Sequence, residues 1–219
     1  MKKTKAILMA LCAVLLVAAS VMGTLAYLTS NDSVTNTFTV GKVAITLDEA
    51  KVNADGTPVQ GVARVNANKY HLLPGHTYKK DPTIHVAADS EDCYLFVKVE
   101  NGIADIEAAT TIADQMTAKG WAPITDGSNV YVYIGTEADA AAPLAVTHGS
   151  NVPVFDNFTI LGTVTNDQLA GGAVDPSIPD GVTTPNYGEA EVIVTAYAVQ
   201  KDGFETKTPA QIWGDAGFT

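Results

Sequence analysis

Glu191-Val-Ile-Val-Thr-Ala-Tyr-Ala-Val-Gln200 is the stretch on which the fold class turns. It is rich in β-branched and aromatic residues, which suit a pleated surface. Val192, Val194, Ala196 and Ala198 fall on one face, and Ile193, Thr195, Tyr197 and Val199 on the other. Both faces are apolar, and a strand covered on both faces is expected at the centre of a sheet. Cys93-Tyr-Leu-Phe-Val-Lys-Val-Glu100 is a second such strand, with Cys93, Leu95, Val97 and Val99 sharing one face.

Working outward, Thr37 to Leu47 is rich in Thr, Val and Ile, and shorter strands are expected at Thr83–Val86, Trp121–Ile124, Val130–Ile134, Leu144–Thr147 and Val152–Leu161. Asn53-Ala-Asp-Gly-Thr-Pro58 and Leu73-Pro-Gly75 read as turns, and Asp126-Gly127 as a hairpin. Residues 102–120 break the pattern. They are Ala-rich, with Ile106, Ala109, Ala113 and Met116 at helical spacing before Gly120, so an inserted helix is expected there. Residues 171–188, with Pro176, Pro179 and Pro185, read as a long surface loop. Thr208-Pro-Ala-Gln-Ile-Trp213 reads as a helical turn capped by Thr208 with Pro209 in first position. Many short strands between Gly/Pro turns make an all-β chain, an antiparallel β-sandwich with one inserted helix and a short C-terminal helical turn.

The N-terminus carries a different signal. Lys2, Lys3 and Lys5 precede an uncharged run that lasts to Asp32. A basic start, an apolar middle and small residues at Thr24 and Ala26 read as a secretory signal over residues 1–26, cleaved before Tyr27. An uncleaved anchor is the competing reading, because about 20 apolar residues cross a bilayer. Both place the remainder, a single domain over residues 27–219, outside the cytoplasm. Within it, Phe38 and Val40 are apolar at even positions, whereas Val43, Ile45 and Leu47 are apolar at odd ones. Strand faces alternate strictly, so one residue of slip is expected near Gly41. Residues 27–40, with Val34, Phe38, Val40 and Gly41 as the assembly residues, therefore read as a strand separable from its own domain and able to complete a neighbour's sheet.

Gly23-Thr-Leu-Ala-Tyr-Leu-Thr-Ser30 followed by Asn36-Thr-Phe-Thr-Val-Gly-Lys-Val-Ala-Ile-Thr-Leu-Asp-Glu49 resembles the start of the TasA/camelysin group of exported Gram-positive proteins. Leu73-Pro-Gly75, Asp81-Pro-Thr-Ile-His-Val86 and Val192–Gln200 fit the same group. The resemblance implies a jelly-roll form of the sandwich and processing by a SipW-type signal peptidase. It also implies a place at the cell surface or in the extracellular matrix of a biofilm. The group mixes matrix-fibre subunits with proteins described as proteases, so it leaves function open.

Composition narrows the choice. The leader holds three of the 13 basic residues and none of the 24 acidic ones, so the processed chain carries −14 rather than −11. Such a surface argues against nucleic acid and against stable attachment to anionic membrane. Cys12 leaves with the leader, so Cys93 has no disulfide partner, and its acidic neighbours Glu91 and Asp92 make it a core thiol rather than a reactive one. His-Glu-x-x-His is absent, leaving His71, His76 and His85 as the metal-ligand candidates. The acidic groups Asp48, Glu49, Asp55 and Asp89, Glu91, Asp92 read as a solvated rim. Gly-x-Ser-x-Gly and the phosphate-cradling glycine motifs are missing as well, so no catalytic residue and no cofactor is expected. Trp121, Tyr131 and Tyr133 offer an aromatic strand face for a sugar. The leading expectation is a non-enzymatic, self-polymerising fibre subunit, with a camelysin-like metallopeptidase and a carbohydrate- or host-binding adhesin as alternatives.

Overall fold

A computed structural model of the chain describes residues 42–137, 142–169 and 187–218, together with Lys5, Cys12, Val14 and Leu15. Those four residues are helical and exposed. The expected cleavage site at Thr24, Ala26 and Tyr27, the assembly residues Val34, Phe38, Val40 and Gly41, and residues 171–186 of the expected loop lie outside the described residues. No helix among the described residues is long and apolar enough to cross a membrane. The chain divides into two compact units, Met1–Val40 and Gly41–Thr219, and every described strand belongs to the second.

In chain order the strands are β1 (Ile45–Asp48), β2 (Thr77–Lys79), β3 (Thr83–Val86), β4 (Cys93–Asn101), β5 (Trp121–Pro123), β6 (Val130–Tyr133), β7 (Asn151–Pro153), β8 (Asn157–Thr159) and β9 (Val192–Gln200). Among the described residues of the second unit, three short helices accompany them, α1 (Ile112–Ala118), α2 (Asn166–Leu169) and α3 (Pro209–Asp215). All strand pairs are antiparallel, in sheets ordered β1-β3-β7, β2-β8 and β5-β6-β4-β9. The fold is all-β.

β4 is the buried centre. Cys93, Leu95, Val97 and Val99 point into the main core with Ile84, Val86, Val152, Phe158 and Met116. Tyr94 and Phe96 point the other way, into a smaller cluster with Val130, Val132 and Ile212. The second cluster exists because α3 covers that face. Thr208 accepts from the Gln211 N–H, the Gln211 side chain returns to the Thr208 N–H, and Pro209 occupies the first turn, as the sequence leads one to expect. The cap directs Ile212, Trp213 and Phe218 onto Phe96 and Tyr197, with the Tyr197 and Trp213 ring centroids 4.9 Å apart.

Several expectations differ from the described structure. β9, expected at the centre of a sheet, pairs with β4 alone among the described residues and lies at the margin of the described sheet. Its apolar faces are accounted for by what lies above and below the sheet. The helix expected over 102–120 is confined to α1, after a 3₁₀ turn at Ala104–Ile106. Glu107 and Ala108 are extended instead, because Glu107 bridges Ile160 and the Ala108 N–H donates to the Thr159 carbonyl at 2.9 Å. Thr110 then takes a positive φ of 72°, and Thr111 starts α1 through a capping box with Asp114. Gly120 ends the segment at φ +85°, where a Cβ would lie 2.4 Å from the Gly135 carbonyl. The run expected over Val152–Leu161 divides into β7 and β8, and Leu144–Thr147 contributes one bridge, Val146 to Cys93.

Truncating Phe96, fully buried between β4's neighbours and α3, is expected to cost about 3–5 kcal/mol in Phe96→Ala. Chemical denaturation checks this, with the exposed Ile193→Ala as a reference that changes stability far less.

Candidate functional site

The chain's single arginine organises the outer side of β1 and β3. Arg64 lies in the long connection between β1 and β2, and its guanidinium bonds the Asp48 carboxylate. Its Nη2 donates to the backbone carbonyls of Asp48 at 3.0 Å and Asp81 at 2.9 Å, and to Thr83 Oγ1 at 3.2 Å. His85 sits beside this group, with Nε2 2.9 Å from Asp48 Oδ1 and Nδ1 2.5 Å from Asn151 Oδ1, so one imidazole spans β1, β3 and β7. Burial raises the Asp48 and Asp81 carboxyls. Hydrogen bonds and charge from Arg64 and His85 more than offset this at Asp48, and the Ala50 N–H, Lys79 and Arg64 do so at Asp81. Both carboxyls therefore ionise more readily than usual.

The three candidate metal ligands are not brought together as a site. His76 Nε2 meets the Asp55 carbonyl at 2.8 Å and its ring lies edge-on to Tyr78, while both ring nitrogens of His85 face protein oxygens. His71 is exposed, and its carbonyl accepts from the Tyr78 hydroxyl at 2.6 Å. No group of three His, Cys, Asp or Glu placed to hold a metal occurs among the described residues. The aromatic strand face divides as well. Trp121 is buried, donates to the Pro153 carbonyl at 3.0 Å and packs edge-on against Tyr133. Cys93 is inert for a physical reason: burial first and Asp92 second push its thiol up to about 11.

Glu49 also departs from expectation. It is only 3% exposed rather than part of a solvated rim, and its carboxylate is shared by Lys80 and Asn68. These residues lie beside a cavity of about 640 Å³ between β1 and the start of β9, with Leu47, Tyr70, Leu72, Phe158, Val192 and Val194 on its walls.

β9 forms one margin of that cavity, and its backbone is the most chemically unusual surface. The Lys201 N–H donates to the Asp92 carbonyl and the Gly102 N–H to the Glu191 carbonyl. With the Cys93↔Gln200 register, these bonds fix the parity: odd-numbered residues of β9 bond to β4. The backbone groups of Val192, Val194, Ala196, Ala198 and Gln200 therefore face away from β4, and no described strand pairs with them. The side chains of Val192, Val194, Ala196 and Ala198 pack on the main core. No proline, lysine or bulge interrupts β9, whereas the opposite margin of the sheet is the three-residue β5, ending in Pro123. An edge of that length and composition is a template for another strand.

No family model, curated protein or solved structure matches the chain.

The ties of Asp48 and Asp81 set a pH dependence. A carboxyl whose folded pKa is lowered contributes stability above its unfolded value and loses that stability as pH falls through the folded value. Stability is expected to drop below about pH 4. Asp48→Asn should cost about 1–3 kcal/mol at pH 7, a penalty that shrinks toward pH 3. Urea titrations of both proteins from pH 7 to pH 3 measure the difference.

Proposed function

We propose that this chain is an exported structural protein without enzymatic activity, a TasA-like subunit of extracellular matrix or cell-surface fibres. In this reading the fold is a jelly-roll sandwich, a SipW-type peptidase removes residues 1–26, and residues 27–40 of one subunit pair with a neighbour. The observation that carries it is the outward backbone of β9, nine residues long and facing no described strand, lying beside a cavity lined by apolar and polar side chains together. The sequence supplies a matching occupant. Residues 33–41 hold no charge, and Phe38 and Val40 alternate with Thr35, Thr37 and Thr39. A strand of that pattern turns one apolar face inward while its backbone satisfies the edge.

Burying Phe38 and Val40 contributes roughly 1.5–3 kcal/mol each before ordering costs, and the edge hydrogen bonds add to that. Because the strand leaves one copy and enters the next, the contact is head-to-tail and grows into filaments rather than closing. The metallopeptidase alternative has less support, since His76 and His85 are engaged with different protein oxygens. The carbohydrate- or host-binding adhesin alternative has less support, since Trp121 of the aromatic strand face is buried.

Protein beginning at Tyr27 is expected to form filaments by negative-stain microscopy and to sediment as a polymer. Phe38→Asp and a version beginning at Gly41 should remain monomeric. Polymerisation of both variants like the parent, or a parent that stays monomeric in every condition, would overturn the assignment. Stoichiometric zinc with chelator-sensitive proteolysis abolished in His71→Ala or His76→Ala would establish the peptidase instead.

A further inference from the structure

Glu49, buried, and Asn68 and Lys80, both part-buried, form a group whose chemistry the proposed assembly does not use. Lys80 Nζ lies 2.8 Å from Glu49 Oε2, and Asn68 Nδ2 donates to Glu49 Oε1 at 2.9 Å. One carboxylate thus bonds an amine through one oxygen and a carboxamide through the other. The side chains of Lys80 and Glu49 are only 12% and 4% exposed. Tyr70 and Phe158, packed edge-on at 5.2 Å, line the same cavity as the three polar residues. The carboxamide is also oriented. Its Oδ1 accepts from the Val52 N–H at 3.0 Å, and its Nδ2 donates a second bond to the Ala50 carbonyl at 2.8 Å.

These are the parts that amide exchange needs: an amine nucleophile, an acyl carbon whose oxygen faces a backbone donor, and an acid–base group touching both attacking and leaving nitrogens. We propose that the Lys80 and Asn68 side chains join spontaneously in an isopeptide bond, with Glu49 transferring the protons. The Lys80 ammonium gives a proton to Glu49, and the free amine adds to Cγ of Asn68. The Val52 N–H stabilises the negative charge that develops on Oδ1. Glu49 protonates Nδ2, the Cγ–Nδ2 bond breaks, and ammonia leaves, taking up the proton that Nζ sheds. An ammonium and a carboxamide become a secondary amide and an ammonium ion, with no oxidant or reductant required.

The bond would tie the long β1–β2 connection to the residue that follows β2. It gives a chain without a disulfide partner for Cys93 a covalent brace of another kind. Its formation does not depend on the fibre reading.

Intact-mass measurement of the purified folded protein tests the proposal, with peptide mapping to fix the N-terminus. The parent is expected one ammonia lighter than its sequence, and the map should contain a branched peptide joining Asn68 to Lys80. Lys80→Arg and Glu49→Gln should each restore the full mass. A folded parent at full sequence mass overturns the proposal, as does a deficit that persists in Lys80→Arg, which would mark ammonia loss at another asparagine. Should either variant fail to fold, the parent's mass and branched peptide decide alone.

Discussion

β4 is buried on both faces, and much of the domain follows from that constraint. A strand with Cys93, Leu95, Val97 and Val99 on one side and Tyr94 and Phe96 on the other needs two coverings. The inner covering is the main core, to which β1, β3, β7, β8 and α1 all contribute. The outer one is the C-terminal segment, whose capped α3 sets Ile212, Trp213 and Phe218 over Phe96. Hydrogen bonding imposes a second condition. The odd residues of β4 direct their backbone to β6 and the even ones to β9, as the Val99 N–H to Asn129 carbonyl bond shows on the β6 side. With β4 satisfied on both flanks, the edge of the sheet among the described residues passes outward to β9.

The other side of the domain is held differently. β1, β3 and β7 are three or four residues long, and short strands add little by themselves. Polar ties compensate. Arg64 reaches from the β1–β2 connection to Asp48, Asp81 and Thr83, and the Glu49 carboxylate gathers Asn68 and Lys80. Breaking one member of such a group strands its partner without water, which makes the set cooperative. The wall of the cavity beside β9 is therefore fixed by side-chain chemistry rather than by ladder length.

What the sequence revealed depended on how local the physics was. The two faces of β4, the phase of Val43, Ile45 and Leu47, the Asp126-Gly127 hairpin and the Thr208 cap rest on neighbours a few residues apart, and they were legible. The place of β9 among the described strands was not legible, because apolar faces report what lies above and below a strand, not what lies beside it. The helix over 102–120 was overextended because its spacing ignored β8, whose end draws Glu107 and Ala108 into extended pairing. Glu49 and Arg64 were opaque for a related reason. Glu49 meets a lysine 31 positions away, and no local pattern distinguishes a carboxylate bound for the interior from one left in water. The single arginine among 13 basic residues was the available clue. An arginine's planar fork suits multiple simultaneous acceptors, which lysine cannot match.

The central claim is that the outward backbone of β9 receives a strand from another subunit. Residue-resolved amide hydrogen exchange measures this most directly, because β9 carries its own control. Ile193, Thr195, Tyr197 and Val199 bond to β4 and should exchange slowly in monomer and assembly alike. The account predicts that Val192, Val194, Ala196, Ala198 and Gln200 exchange quickly in the monomer and become protected in filaments. Equal protection of both sets in the monomer, or filaments in which the second set still exchanges quickly, would contradict it.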